Sequence, residues 1–304
     1  MASLKNIKLK IVSYKKTGTV THAMEAVSAV KMRKSQERAI SSRPYARAGL
    51  RVLAGISGST NVARHPLMHA PEGGKVVIVI ITSDKGLAGA LNSAIIRATE
   101  AFIQDEKLSR EELVFLCLGK RGHEFTLRSG YEVVHYHTNI SDAIDESEFR
   151  AITDQAIALY QAGGIREVRV AYTNFRSIFE QHPAVHKVLP LSRRAVEHMV
   201  GEILPARGKY ADIGNGNGAA VYTIEPDADE VLAALVPRLV NIAIFHKMLE
   251  SKASEHSARM VAMKNATDKA KEMAGDLTRT FNKVRQAAIT REVSEITSGI
   301  EAMK

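Results

Sequence analysis

The sequence predicts an α/β protein: a long antiparallel coiled coil of N- and C-terminal helices plus a central Rossmann-like α/β domain with a mostly parallel sheet. Three observations predict it. Apolar residues recur in alternating steps of three and four at both ends of the chain, with a long unbroken run at the C-terminal end. Between them, short aliphatic runs alternate with helical patterns. Breaker clusters separate the three parts, which gives expected boundaries of 1–60 and 227–304 for the helices and 72–220 for the α/β domain.

The first helix follows from Leu4, Ile7, Ile11, Tyr14, Gly18 and Thr21, a seam expected to continue through Met24, Val27 and Val30. No proline interrupts it before Pro44. After the breaker cluster His65-Pro66 to Gly74, strands are expected at Val76–Thr82, Leu113–Leu118, Val133–Tyr136, Val168–Phe175 and Val185–Leu191. Helical patterns fall between them, from Gly86-Leu-Ala-Gly89 to about Gln104, at Lys120–Arg128 and at Glu146–Gln161. Strands without polar alternation are buried on both faces, and their alternation with helices gives a mostly parallel sheet. The stretch 208–220, with Gly214-Asn-Gly-Asn-Gly218, reads as a loop.

The last helix opens on a capping box, Asp227 with Glu230 three residues on. Its seam runs Leu232, Leu235, Leu239, Ile242, His246, Leu249, Ala253, His256, Met260, Met263, Thr267, Ala270, Ala274, Leu277, Phe281, Val284, Ala288, and only His246, His256 and Thr267 are not apolar. A helix from Asp227 to near the C-terminus is on the order of 110 Å long at ~1.5 Å per residue. A 3.5-residue period sustained this far is a coiled-coil signal, and the first helix is the expected partner. Being shorter, it leaves the end of the last helix alone. Small residues at Ala23, Ala26, Ser28, Ala29, Ala287 and Ala288 are expected to keep the pair thin, and Pro237 to allow an early kink.

Composition narrows the chemistry. The 304 residues are 45% hydrophobic and 25% charged, which excludes a wholly disordered chain. The longest aliphatic run, Val76 to Ile81, is far short of a membrane span. The net charge of +9 lies almost wholly in residues 1–60, where twelve Lys/Arg face only Glu25 and Glu37, so an acidic partner surface is expected there. Cys117, the only cysteine, excludes an intrachain disulfide and a cysteine zinc site, and reads as a buried hydrophobe in a reducing compartment.

No enzyme active site is evident. Asp84-Lys-Gly-Leu-Ala-Gly89 follows a strand where α/β sheets bind phosphate, but it lacks both glycine fingerprints, so a tight turn or protein contact is the better reading. His135 and His137 could share a strand face, with no third metal ligand of suitable spacing. His246 and His256 on the seam read as register-setting polar residues. The basic stretch Lys31-Met-Arg-Lys34, with Arg38, Arg43, Arg47 and Arg51, lacks aromatic residues for base stacking apart from Tyr45, which favours an acidic protein groove over nucleic acid. The rival classes are an α/β nucleotide-binding enzyme with a coiled-coil arm, betrayed by nucleotide binding, and a basic scaffold, betrayed by salt-dependent DNA binding.

Four segments carry a family resemblance: Ala23-Met-Glu-Ala-Val-Ser-Ala-Val-Lys-Met-Arg-Lys-Ser-Gln36, Ser83-Asp-Lys-Gly-Leu-Ala-Gly-Ala-Leu-Asn92, Ser257-Ala-Arg-Met-Val-Ala-Met-Lys-Asn-Ala-Thr-Asp268, and Arg285-Gln-Ala-Ala-Ile-Thr-Arg-Glu-Val-Ser-Glu-Ile-Thr-Ser-Gly299. Over its full length the chain resembles the gamma subunits of F-type ATP synthases. The resemblance implies a non-catalytic rotor, without cofactor, turned by a proton-driven c-ring inside a ring of three alpha and three beta subunits, with the epsilon subunit at its foot. It implies beta-subunit contacts at Met24, Lys31, Asp84, Lys85, Arg259, Arg285, Gln286, Thr290 and Glu295, and c-ring or epsilon contacts at Tyr210 and Tyr222. The implied place is the cytoplasmic face of a bacterial inner membrane, or else the mitochondrial matrix face. The family often has Arg-Gly-Leu-Cys-Gly where this chain has Lys85-Gly-Leu-Ala-Gly89, and the lone cysteine excludes the dithiol switch of some photosynthetic relatives.

Overall fold

The structure, a computed structural model, describes residues 4–41, 48, 65–191 and 227–303. In chain order its elements are α1 (Leu4–Ser41), β1 (Lys75–Ile81), α2 (Leu91–Asp105), β2 (Leu113–Leu118), α3 (Lys120–Arg128), β3 (Glu132–His137), α4 (Glu146–Gln161), β4 (Ile165–Phe175), β5 (Gln181–Leu189) and α5 (Ala228–Ala302). The chain divides into two compact units, one of residues 1–29 with 259–304 and one of residues 30–258.

In the larger unit five strands form one sheet in the order β3-β2-β1-β4-β5. Pairings among β3, β2, β1 and β4 are parallel, and only β5 runs antiparallel, against β4. This is the mostly parallel sheet the aliphatic runs predicted. Every residue of β2 and all of β1 after Lys75 are buried, because helices cover both faces. Val76, Ile78 and Ile80 point to the face with Ile95 and Ile103 of α2 and Phe125 of α3. Val77, Val79 and Ile81 point to the other, with Phe149 and Ile157 of α4 and Val236, Val240 and Phe245 of α5.

The first part of α5 is thus a layer of this sandwich. Leu239 through Leu249 are buried without a break, a pattern that suits a helix enclosed by sheet and neighbouring helix. An 18-residue window of α5 reaches a mean hydropathy of 1.5, and 67% of that window is buried. Burial against the sheet accounts for the apolar character. Asn241 sits in this layer with Thr153 as hydrogen-bond partner and its amide 3.2 Å from Asp154 Oδ1.

In the smaller unit α1 and α5 pair antiparallel. Thr21 Oγ1 meets Thr267 Oγ1 at 2.6 Å. One turn earlier on α1, Gly18 lies against Ala270, which is later on α5; a Cβ at Gly18 would sit 3.7 Å from that of Ala270. The seam expected on α5 is buried or half-buried at every position except Val284, at 36% exposure. Asp227 caps the helix as expected, its Oδ1 accepting from Glu230 N at 2.8 Å, and Pro237 lies within a continuous helix.

On α1 the expected seam holds through Met24, which is half-buried, and then departs. Val27 and Val30 are 56% and 57% exposed, and burial passes instead through Glu25, Ser28, Met32, Ser35 and Ala39. The step after Thr21 is four residues, which keeps the 3.5 period. Hydropathy misplaced it because serine fills two seam positions and valine occupies the outer face. Ala23, Ala26 and Ala287 are likewise exposed; the small residues that let the helices approach are Gly18, Ala270 and Ala274. The helical pattern read for 42–58 and the loop read for 208–220 lie outside the described residues.

Candidate functional site

Loop 82–90 leaves β1 where the strand order reverses, the place at which open α/β sheets hold ligands. Here the chain fills that place itself. Asp84 Oδ1 accepts from Lys120 N, the first residue of α3, at 3.0 Å, and Oδ2 accepts from Asn139 N at 2.9 Å. A carboxylate thus sits at the helix N-terminus where a phosphate would be bound. Ser83 is buried; its N donates to Asn92 Oδ1 at 3.0 Å, and its hydroxyl donates to Lys85 O at 2.6 Å. The braced loop presents Leu87 with a left-handed backbone, φ 64°, and 62% exposure. This is a contact loop in construction. Sequence reasoning named its charged residues Asp84 and Lys85, yet missed Leu87, the apolar tip.

The remaining expected site residues fall in different surroundings. Met24 is half-buried on α1, and Lys31 is exposed, with its Nζ 2.8 Å from Asp142 Oδ2. Arg259 is buried at 8% exposure. Arg285, Gln286, Thr290 and Glu295 are all exposed on the last turns of α5, where from Asn282 to Met303 only Ala288 is even half-buried. Tyr210 and Tyr222 lie outside the described residues.

Those last turns also carry Ile289, Val293, Ile296 and Ile300, each 51–64% exposed. At about 3.6 residues per turn they form one stripe, with Arg285 on one margin and Gln286 and Thr290 on the other. The polar residues singled out by family pattern therefore flank an apolar strip that the sequence reading passed over. The i, i+4, i+7, i+11 spacing was the available signal.

The histidines resolve into structural partners. His137 Nε2 lies 2.9 Å from Gln155 Oε1, and His123 stacks on Tyr136 with ring centroids 4.2 Å apart. His256 Nε2 lies 3.1 Å from Asp142 Oδ1. Among the described residues no group of three or more metal-ligating side chains converges. Cys117 is buried at 0% exposure, and burial pushes its thiol up to about 11, so it is inert as a nucleophile. Of the basic stretch on α1, Arg38 is spent within the fold, donating to the carbonyls of Asp142, Ala143 and Ile144.

The architecture defines a class: a chain whose described surface offers contact elements, namely a braced loop and a bare helix end. The family model described as ATP synthase matches residues 3–303. The ATP synthase gamma chain of Bdellovibrio bacteriovorus is 39% identical over the whole of both chains, and that of Staphylococcus saprophyticus is 35% identical, also over the whole of both. In fold, the chain is similar to one in the Euglena gracilis mitochondrial ATP synthase OSCP/F1/c-ring structure, with TM-score 0.64, 16% identity, and 99% and 94% of the two chains covered. It is also similar to one in the Tetrahymena thermophila mitochondrial ATP synthase central stalk/c-ring structure, with TM-score 0.58, 23% identity, and 81% and 99% covered.

The chain belongs to the ATP synthase gamma chain family. Its place is that of a non-catalytic subunit of the complex, and the rotor reading of its helices fits that membership.

Proposed function

We propose that the chain is the torque-bearing shaft of a proton-translocating F-type ATP synthase. On this reading it is turned by a c-ring and drives three catalytic beta subunits, alternating with three alpha subunits, through their conformational cycle, with an epsilon subunit bound beside it. The observation that carries the reading is the bare end of α5, about six turns of helix with an apolar stripe and no partner among the described residues. Most helical stability in proteins comes from packing of an amphipathic face, so these turns call for an enclosing partner. Arg285, Gln286 and Thr290 at the stripe margins, with Glu295 and Arg259 in support, are proposed as its beta-facing polar contacts. Each charge-assisted bond is worth about 1.5–3 kcal/mol, enough to bias a conformation and still be broken at every turn.

Met24, Lys31 and the loop bearing Asp84 and Lys85 are proposed to face beta subunits, and Tyr210 and Tyr222 the c-ring and epsilon. Helices over 1–60 and 227–304 around an α/β domain over 72–220 are the proposed division of labour. The proposed location is the peripheral, cytoplasmic face of a bacterial inner membrane. The test is co-purification of the tagged chain from gently solubilised membranes. Recovery with an alpha/beta hexamer whose ATPase activity the isolated chain lacks supports the reading; recovery alone or with nucleic acid overturns it.

A sharper prediction concerns Met24. Replacement by lysine adds a charge to the shaft surface and is expected to impair proton coupling more than ATP hydrolysis. Pumping and hydrolysis measured on the same vesicles decide it, and equal loss of both counts against Met24 as a beta-facing residue.

A further inference from the structure

We infer that the segment 140–144, through Asp142 and its own backbone carbonyls, is a splint that fixes α1 and α5 against axial slip, and that Asp142 is a positioning residue for torque transfer. The inference rests on the rotor reading.

The geometry is confined to the larger unit. Asp142 accepts Lys31 Nζ of α1 at 2.8 Å on Oδ2, while His256 Nε2 of α5 lies 3.1 Å and Lys252 Nζ 3.5 Å from Oδ1. The backbone of the same segment is held from both helices as well. Arg38 of α1 donates to the carbonyls of Asp142 at 2.7 Å, Ala143 at 3.0 Å and Ile144 at 2.8 Å, and Lys252 of α5 donates to that of Ile140 at 3.0 Å. One short segment is therefore held by Lys31 and Arg38 of α1 and by Lys252 and His256 of α5, with one carboxylate shared between the helices.

The arrangement has a mechanical meaning. A seam of small residues resists axial sliding poorly, because neighbouring registers of a smooth coiled coil pack almost alike. Ser35 and Ala39 on the buried side of α1 supply no large knob, which leaves Met32 as the one bulky side chain of that stretch. Directional bonds to a third element resist sliding, since a shift of one residue, about 1.5 Å, breaks all of them together. Asp142 is 28% exposed at its side chain, and His256 and Lys252 are 5% and 12% exposed, so the α5 side of the site is poorly reached by competing water, while Lys31 reaches it from the exposed face of α1. Asp142 is thus placed to act through the two helices rather than on any partner.

The test uses two variants, Asp142→Asn, which removes the shared charge, and Arg38→Lys, which keeps charge but cannot span three carbonyls. Each is assembled into the whole ATP synthase and measured for protons pumped per ATP hydrolysed. Hydrogen exchange of the full-length chain follows amides 30–41 and 247–258. Exchange there is expected to speed up about tenfold on loss of one charge-assisted bond, while β1 and β2 stay protected. Pumping per ATP is expected to fall with hydrolysis per assembled complex unchanged. A merely structural role would lower the amount of complex and leave that ratio alone.

Faster exchange with an unaltered ratio in both variants overturns the torque role and leaves the rotor reading standing. Unchanged exchange in both overturns the splint itself. If the unmodified chain does not assemble with an alpha/beta hexamer, the rotor reading falls and the torque role with it.

Discussion

Replacing Gly119 with alanine is expected to cost the fold about 3–5 kcal/mol, enough to remove most of a domain's net stability. Gly119 joins β2 to α3 with φ 106°, a conformation L-residues rarely adopt. A Cβ built there would overlap the carbonyl oxygen of Thr82 and stand 2.7 Å from its carbon. Neither atom can withdraw, because both belong to the end of a fully paired central strand. The same corner is bonded from three sides: Thr82 N donates to Leu118 O at 2.8 Å, Gly122 N donates to Thr82 Oγ1 at 2.8 Å, and Gly119 N donates to His137 O at 2.8 Å. Gly163→Ala is the control. Its φ of 86° carries the backbone cost, but nothing lies within 4 Å of the added carbon, so about 1–2 kcal/mol is expected. Urea unfolding of the two variants separates close approach from backbone conformation. Equal losses would mean that the Thr82 contact relaxes freely.

What the sequence disclosed follows from which signals are periodic. Strands β1 and β2 were legible because burial on both faces removes polar residues altogether, and α5 because its seam repeats from Leu232 to Ala288. The α1 seam was legible only while aliphatic residues marked it. Past Met24, serine and alanine share the buried side with Met32 alone among large apolar residues, and hydropathy follows the exposed valines instead. The antiparallel edge strand β5 was read from Val185, whereas pairing starts at Gln181 opposite Phe175, since half-exposed edge residues carry little pattern.

The site was legible in a different way. Motif resemblance pointed to the end of α5 and to loop 83–90, but contact chemistry depends on facing. The stripe from Ile289 to Ile300 and the tip residue Leu87 needed the backbone to be seen. Asp142 lies in a loop whose partners are more than 100 residues away in sequence, and no local spacing could have singled it out.

Asp142→Asn is expected to lower stability by about 2–4 kcal/mol near neutral pH, because it leaves the two lysines and His256 facing one another without their shared anion. The pH dependence carries a definite sign. The His256 hydrogen bond, then that of Lys31, with the charges of His256 and Lys252, holds the Asp142 carboxyl well below the usual carboxylate range, against the opposing effect of burial. A carboxyl whose folded pKa is depressed binds fewer protons in the folded than in the unfolded chain. Its contribution is therefore complete above the ordinary aspartate value near 4, and is lost progressively as pH falls below that value toward the folded pKa. The difference in unfolding free energy between the parent chain and Asp142→Asn should shrink from about pH 4 downward. The groups facing the carboxylate are Lys31 from α1 and Lys252 and His256 from α5, and both lysines keep their charge through that window. Urea midpoints of both chains between about pH 7 and 3 give the curve. A difference that persists undiminished at the acid end would place the stabilising anion elsewhere and reduce Asp142 to a neutral hydrogen-bond acceptor.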